Sequence, residues 1–293
     1  MPTNIIFQID GGIGKCIAAT AVCKAVKAQY PDDNLIVISG YPDVFINNPN
    51  VNKSLQSGNI TYFYNDYVDG KEIKMMFHNP YLETDYSKEK KHLIEIWCQM
   101  FGIKYSGELP ELFLTQRELT FFQNKYVSDK PILVMQTNGG FNRDLKYNFT
   151  RDLPSTAVVK IIDHFVDKFN IVHVRREDQI AYDKTTPMLA GFREVLALTL
   201  LSKKRLLIDS FLQHACTALK LPSTVCWITN SPKVFGYEMH DNVLANPFTK
   251  KPELRTSFIS KIDFNGDIIT FPYNSEDEIF DVQNIIASLQ KEA

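Results

Sequence analysis

No stretch of this chain approaches the length of about twenty apolar residues that spans a bilayer, and Met1-Pro2-Thr3-Asn4 lacks the charged start of a secretory leader. A cytosolic protein is expected. Its five cysteines, Cys16, Cys23, Cys98, Cys216 and Cys226, contain no Cys-x-x-Cys pair. That argues against a disulfide framework or zinc site, and Cys216 and Cys226, inside apolar runs, read as buried thiols. Charge of one sign is also scarce. The net charge is −2, so no global field draws the chain to nucleic acid. Local clusters at Lys88, Lys90, Lys91 and at Lys203, Lys204, Arg205 read first as solvated faces. There is no Asp-x-Asp triplet of the kind that holds a metal under a diphosphate.

What is present is concentrated near the start. Ile5-Ile6-Phe7-Gln8-Ile9 is a short apolar run that meets Asp10 and a glycine-rich turn, Gly11-Gly12-Ile13-Gly14-Lys15. Ile17, Ala18, Ala21, Val22, Ala25 and Val26 then recur at helical spacing. Strand, tight loop and helix in this order place backbone amides and a helix N-terminus over the strand end, a place that suits a diphosphate. The loop is not a P-loop, because Ile9 occupies its first glycine position and Cys16 replaces the magnesium-binding hydroxyl. Nor is it a good dinucleotide fingerprint. Ile17 stands where close helix packing wants a small residue, and the second strand runs into Ser39-Gly40 without an acid. The plain alternative is that Gly11, Gly12 and Gly14 only make a turn.

Strands and helices alternate along the chain, which is long enough for two ordinary domains. Strands are expected at 5–9, 35–38, 61–64 and 111–114, and helices at 17–29, 43–49, 90–101 and 116–125, with an irregular aromatic segment over 65–86. Residues 126–131 read as a linker. The pattern then restarts: a strand over 131–136 leads into a second glycine loop, Thr137-Asn138-Gly139-Gly140. Helices at 155–169, 193–201 and 211–219 and strands at 171–174, 206–208, 224–228 and 243–244 follow. Ser275-Glu276-Asp277-Glu278 reads as a capping box opening a helix to Leu289. The expected fold is α/β, two Rossmann-like doubly wound domains facing a central cleft. An N-terminal domain over 1–127, a C-terminal domain over 128–274 and a terminal amphipathic helix over 275–293 are expected.

The second half carries a series of short motifs: Thr137-Asn138-Gly139-Gly140, Arg151-Asp152-Leu153-Pro154, Leu189-Ala190-Gly191, and Asp209-Ser210-Phe211-Leu212-Gln213-His214-Ala215 running on to Leu221-Pro222. With the N-terminal Gly-Ile-Gly loop, this series resembles the heptosyltransferase-like glycosyltransferases, family nine of the two-Rossmann-domain GT-B class. Their series reads Gly loop, Lys-Arg-Trp-Pro, Ala-Gly, then Asp-Ser-Gly-x-x-His-x-Ala. The resemblance covers roughly residues 5–30 and 131–247. It implies a glycosyltransferase that moves a sugar from a nucleotide-diphosphate sugar, a co-substrate and not a cofactor, to a hydroxyl acceptor with inversion. No bound metal is expected. The departing charge would then rest on helix N-termini and cations.

Carried onto this chain, the donor-binding candidates are Gly11, Gly12, Gly14, Lys15, Asn138, Gly139, Lys146, Arg151, Asp209, Ser210 and His214. Arg151 stands at the family's diphosphate-binding Lys and could hold phosphate oxygens bidentately; otherwise it is a surface cation at a helix start. Asp209 suits a sugar or ribose hydroxyl, Ser210 suits an N-cap, and His214 is either a donor contact or a structural histidine. The family's first motif ends in an Asp taken as the base; here that position is Lys15. Asp10 is the substitute base, with an Asx-type turn as its plain alternative. Phe211 and Leu153 are further departures, from Gly and Trp.

The resemblance places the acceptor on the N-terminal half, whose variable part, 62–92, mixes aromatic faces with acids and amides. His78 and Asp85 are acceptor-side candidates and alternative bases. A saccharide or a hydroxymethylated DNA base is the expected acceptor. Two other readings remain: a nucleotide-sugar-binding module without catalysis, favoured by Lys15, and a Rossmann oxidoreductase, disfavoured by the imperfect glycine pattern. No motif specifies the donor base, its sugar or an oligomeric state.

Overall fold

The computed structural model describes residues 2–126, 128–140, 147–253 and 270–291. Its first part runs β1 (Asn4–Ile9), α1 (Ile13–Gln29), β2 (Asn34–Ser39), β3 (Lys53–Gln56), α2 (Phe63–Tyr67), β4 (Ile73–Met76), α3 (Thr84–Ser87), α4 (Leu93–Met100) and α5 (Gln116–Lys125). The second runs β5 (Ile132–Met135), α6 (Ser155–Phe165), β6 (Asn170–Val174), β7 (Thr186–Met188), α7 (Phe192–Leu201), β8 (Lys204–Ile208), α8 (Phe211–Ala218), β9 (Thr224–Trp227), α9 (Pro232–Phe235), β10 (Asp241–Leu244) and α10 (Val282–Gln290). Among the described residues no helix is long and apolar enough to cross a membrane.

Each part builds one parallel sheet. The first has strand order β3-β2-β1-β4, and the second β10-β9-β8-β5-β6-β7. The central strands β1, β2, β5 and β8 are mostly buried and carry apolar runs of three to four residues, as strands covered on both faces do. Counted from β5, the second sheet has the complete doubly wound order, and the first has its first four strands. The order reverses between β1 and β4 in one sheet and between β5 and β8 in the other. Ligands of such sheets bind in the crevice beyond the carboxyl ends of the strands at that reversal.

Apolar packing joins the two parts. Phe7 meets Trp97 and Phe101 edge-on at 5.4 and 5.7 Å. One buried cluster runs from these residues through Ile17 and Ala21 of α1 to Leu212, Cys216, Phe235 and Tyr237. A second cluster lies on the far face of the second sheet, where Ile285 and Leu289 of α10 pack with Ile161 of α6. Ile6, Ile36, Ile38 and Phe63 form a smaller one on the outer face of the first sheet.

Several expectations are corrected. The 61–64 segment is not a strand: Tyr62 adopts the left-handed region at φ 61° and opens α2. Residues 111–114 pair with no strand. Short β3, β4 and β7 fall where none was expected. The capping box at Ser275 is absent, since Ser275 makes no capping bond. A 3-10 turn follows instead, and α10 begins after Asp281, whose Oδ1 accepts from Gln283 N at 3.0 Å.

Candidate functional site

At the first reversal the chain leaves β1 through Asp10, Gly11 and Gly12. The three glycines of the loop do three different things. Gly11 has φ +108°, a conformation that favours glycine, and a Cβ there would press on Lys15 Cδ at 3.2 Å. Gly12 is the N-cap of α1, with its carbonyl accepting from Lys15 N and Cys16 N, and open space where a Cβ would be. Gly14 already lies in the helix. Its missing Cβ would stand 3.2 Å from His214 Cδ2 and from Phe211 Cα, so Gly14 lets the first turn of α1 reach the first turn of α8. That contact brings the two reversals together.

Asp10 is exposed, and its Oδ1 accepts from Gln8 Nε2 at 3.4 Å. His78 follows β4, the strand beside β1, and stacks on Phe77 at 4.7 Å. Both rings are exposed. Lys15 turns back into the first part. Its Nζ donates to Asn79 Oδ1 at 2.9 Å and lies over the rings of Tyr81 and Trp97 at 4.7 and 5.4 Å. Asp85 lies on α3 and pairs with Lys91 at 3.1 Å and Lys90 at 3.8 Å.

At the second reversal β5 runs into buried Gln136, Thr137 and Asn138. The loop is held from below by Asp152, a buried carboxylate that accepts from Gly139 N at 2.7 Å, Asn148 N at 2.9 Å and Asn138 Nδ2 at 3.0 Å. Gln179 Nε2 donates to Gly139 O at 3.0 Å. Arg151 lies directly across Gly139: a Cβ there would be 2.5 Å from Arg151 Cδ. The guanidinium reaches toward Asp209 at the end of β8, Nη2 to Oδ2 3.5 Å, and Asn230 donates to the same carboxylate. Ser210 occupies the N-cap position of α8 but makes no capping bond. Its Oγ accepts from Gln136 Nε2 at 3.2 Å. Lys146 lies outside the described residues.

His214 stands in the seam between the parts. It shares a hydrogen bond with the Tyr237 hydroxyl at 2.8 Å, and the Tyr237 ring meets His92 of the first part at 5.1 Å. Burial pushes the His214 imidazole down to about 3 and that of His92 to about 4, so both are neutral at physiological pH. Arg151, among the described residues, is a partly exposed cation at the second reversal, 35% exposed, with a carboxylate beside it.

The structure thus gathers Gln136, Asn138, Gly139, Arg151, Asp209 and Ser210 at one strand-order reversal and Asp10, Gly12 and His78 at the other. Sequence reasoning passed over Asp152, Gln179 and Asn230. Asp152 carried a signal, a carboxylate beside Arg151 at a helix start, but Gln179 and Asn230 act on residues far off in sequence. Among the described residues no group of three or more His, Cys, Asp or Glu could hold a metal ion.

No family model matches the chain, and no curated protein sequence does. Solved structures do match it. E. coli ADP-heptose LPS heptosyltransferase II superposes with a TM-score of 0.66 at 13% identity, covering 85% of this chain and 91% of that one. A glycosyl transferase of family 9 from Veillonella parvula gives 0.64 at 11% identity, covering 83% and 85%. E. coli heptosyltransferase WaaC with ADP gives 0.56 at 8% identity, covering 83% and 94%. The chain has their fold, two Rossmann-like domains of the GT-B type.

Proposed function

We propose that the protein is a glycosyltransferase that moves a sugar from a nucleotide-diphosphate sugar to a hydroxyl acceptor, without a metal and with inversion. The observation that carries this reading is Arg151, drawn across the bare face of Gly139 at the strand-order reversal of the second sheet. A diphosphate bound in that crevice would meet the guanidinium, which suits two phosphate oxygens at once. Asp209, at the end of β8, would offer a carboxylate to a donor hydroxyl once phosphate competes for Arg151.

Asp10 is assigned as the base. It is exposed at the end of β1, and the α1–α8 contact sets its loop beside the donor half. Its carboxylate would take the acceptor proton as the hydroxyl oxygen attacks the anomeric carbon. The bond to the diphosphate breaks as the new one forms, and its charge settles against Arg151. Attack from the side opposite the leaving group inverts the anomeric centre. The acceptor is a saccharide or a hydroxymethylated DNA base, received at the carboxyl end of β1 where Asp10 is exposed.

A second reading is favoured by one observation. Lys15, at the family's Asp position, is committed to Asn79 and two aromatic rings. A module that binds nucleotide sugars without transferring them needs no base there. Thermal-shift screening of nucleotide sugars, followed by transfer assays across saccharide and modified-DNA acceptors, separates the two. Transfer that is lost in Asp10→Ala while donor binding persists supports the enzyme. Donor binding without transfer or hydrolysis to any acceptor supports the module.

A further inference from the structure

β4 is the last strand on its side of the first sheet, with β1 as its neighbour among the described residues. The bond from Asn4 N to Glu72 O, 2.9 Å, shows which of its main-chain groups β1 uses. A residue in a strand directs its N–H and C=O to the same side, and successive residues alternate. Glu72, Lys74 and Met76 therefore engage β1, while Ile73, Met75 and Phe77 turn theirs outward. The same three side chains share one face of the strand and are 39%, 43% and 53% exposed. Lys74, the one charge within β4, is turned to the other face, where Nζ donates to the Tyr30 hydroxyl at 3.0 Å and lies over its ring at 4.5 Å. The outward edge therefore lacks the charge or proline that normally guards such a strand.

We propose that a second copy of this chain pairs with β4, antiparallel, about a two-fold axis at Met75, merging two four-stranded sheets into one. The segment is self-complementary in that register. Met75 faces Met75, Ile73 faces Phe77, and the Glu72 carboxylate of one copy faces the His78 imidazole of the other. The outward N–H and C=O groups of Ile73, Met75 and Phe77 are those an antiparallel hydrogen-bonded ladder uses. Centring the axis on Lys74 would oppose two lysines, and centring it on Met76 would set Ile73 against Asn79. Charge and apolar matching thus single out one register of a closed, isologous pair.

Light-scattering mass measurement of the full chain over a dilution series tests this directly. A two-chain mass is expected, falling to one chain on dilution. Met75→Lys, which sets two ammonium groups together on the axis, should give a one-chain mass at every concentration. A Glu72→Cys/His78→Cys double variant provides an independent reading. The two positions oppose each other in a non-hydrogen-bonded pair, where side chains are close. Along one strand they are about 20 Å apart, too far to bridge within a chain, and all five native cysteines are buried. Mild oxidation should yield a covalent two-chain species. A one-chain mass at the highest concentration would overturn the proposal. So would a two-chain mass that survives Met75→Lys, or, should that variant fail to fold, absence of the covalent dimer.

Discussion

The three glycines of the first loop behave as one motif in sequence and as three separate devices in space. Gly12 has open space at its Cβ position, and Gly14 abuts Phe211 and His214. Gly12→Ala should therefore cost less than about 1 kcal/mol of stability, the usual scale of an N-cap change, yet blunt the thermal-shift response to a nucleotide sugar by filling ligand space. Gly14→Ala should do the reverse: overpacking costs roughly 1–3 kcal/mol, enough to offset the helix propensity it gains, and lowers the melting temperature without ligand. A response to ligand that is unchanged in Gly12→Ala would remove that loop from the binding site. Gly139→Ala is the third member of the series. It would displace Arg151, whose Cδ stands 2.5 Å from the new Cβ, and should weaken donor binding about as much as Arg151→Ala. Glycine and Arg151 were visible in the sequence as candidates. Their mutual contact was not, because motif spacing says nothing of which side chain lies across which backbone.

At the scale of elements, the legible strands were those buried on both faces. β5 is an unbroken apolar run, and β1, β8 and β9 carry the runs 5–7, 206–208 and 225–227; α5 was also read to its ends, and Thr115 and Glu118 form a complete capping box at its start. The strands that escaped are edge strands of mixed character: Lys53-Ser54-Leu55-Gln56, Ile73-Lys74-Met75-Met76 and Thr186-Pro187-Met188. An edge strand is made by its neighbour, so its own pattern is weak. α1 starts four residues before the expected position because Gly14 is tolerated in a first turn that must approach α8. The α5–α7 contact was equally hidden. There Arg193 of α7 pairs with Glu118 of α5 and donates to Phe113 O at 2.8 Å, with the Glu118 carboxyl drawn down to about 2 by Arg193. Removing the guanidinium by Arg193→Ala should cost about 1.5–3 kcal/mol, the range for hydrogen bonds to a charged group. Chemical denaturation would show it as a lower midpoint, and an unchanged midpoint would mean that the halves are held by apolar contact alone.

For the whole molecule, buried neutral histidines tie stability to pH. Burial lowers His92, His173 and His240 to about 4 and His214 to about 3, against an unfolded value near 6.5. Above roughly pH 6.5 neither state binds these protons and stability is complete. As pH falls from there toward 4 the unfolded chain binds them first, and each histidine withdraws about 1.4 kcal/mol per pH unit. The melting temperature should hold from pH 8 to about 6.5 and then drop steeply; a flat profile to pH 5 would show that these imidazoles are not sequestered. Two of them, His92 and His214, flank Tyr237 in the seam between the halves. The same seam sets the two strand-order reversals side by side, and the account rests on their forming one donor site with Arg151 as its phosphate-binding cation. Titration calorimetry of the wild type and Arg151→Ala with the nucleotide sugar that binds best tests that most directly. The account predicts a dissociation constant roughly 10- to 100-fold higher in the variant, the worth of a charge-assisted bond, with the fold intact by circular dichroism. Equal dissociation constants in the two proteins would contradict it.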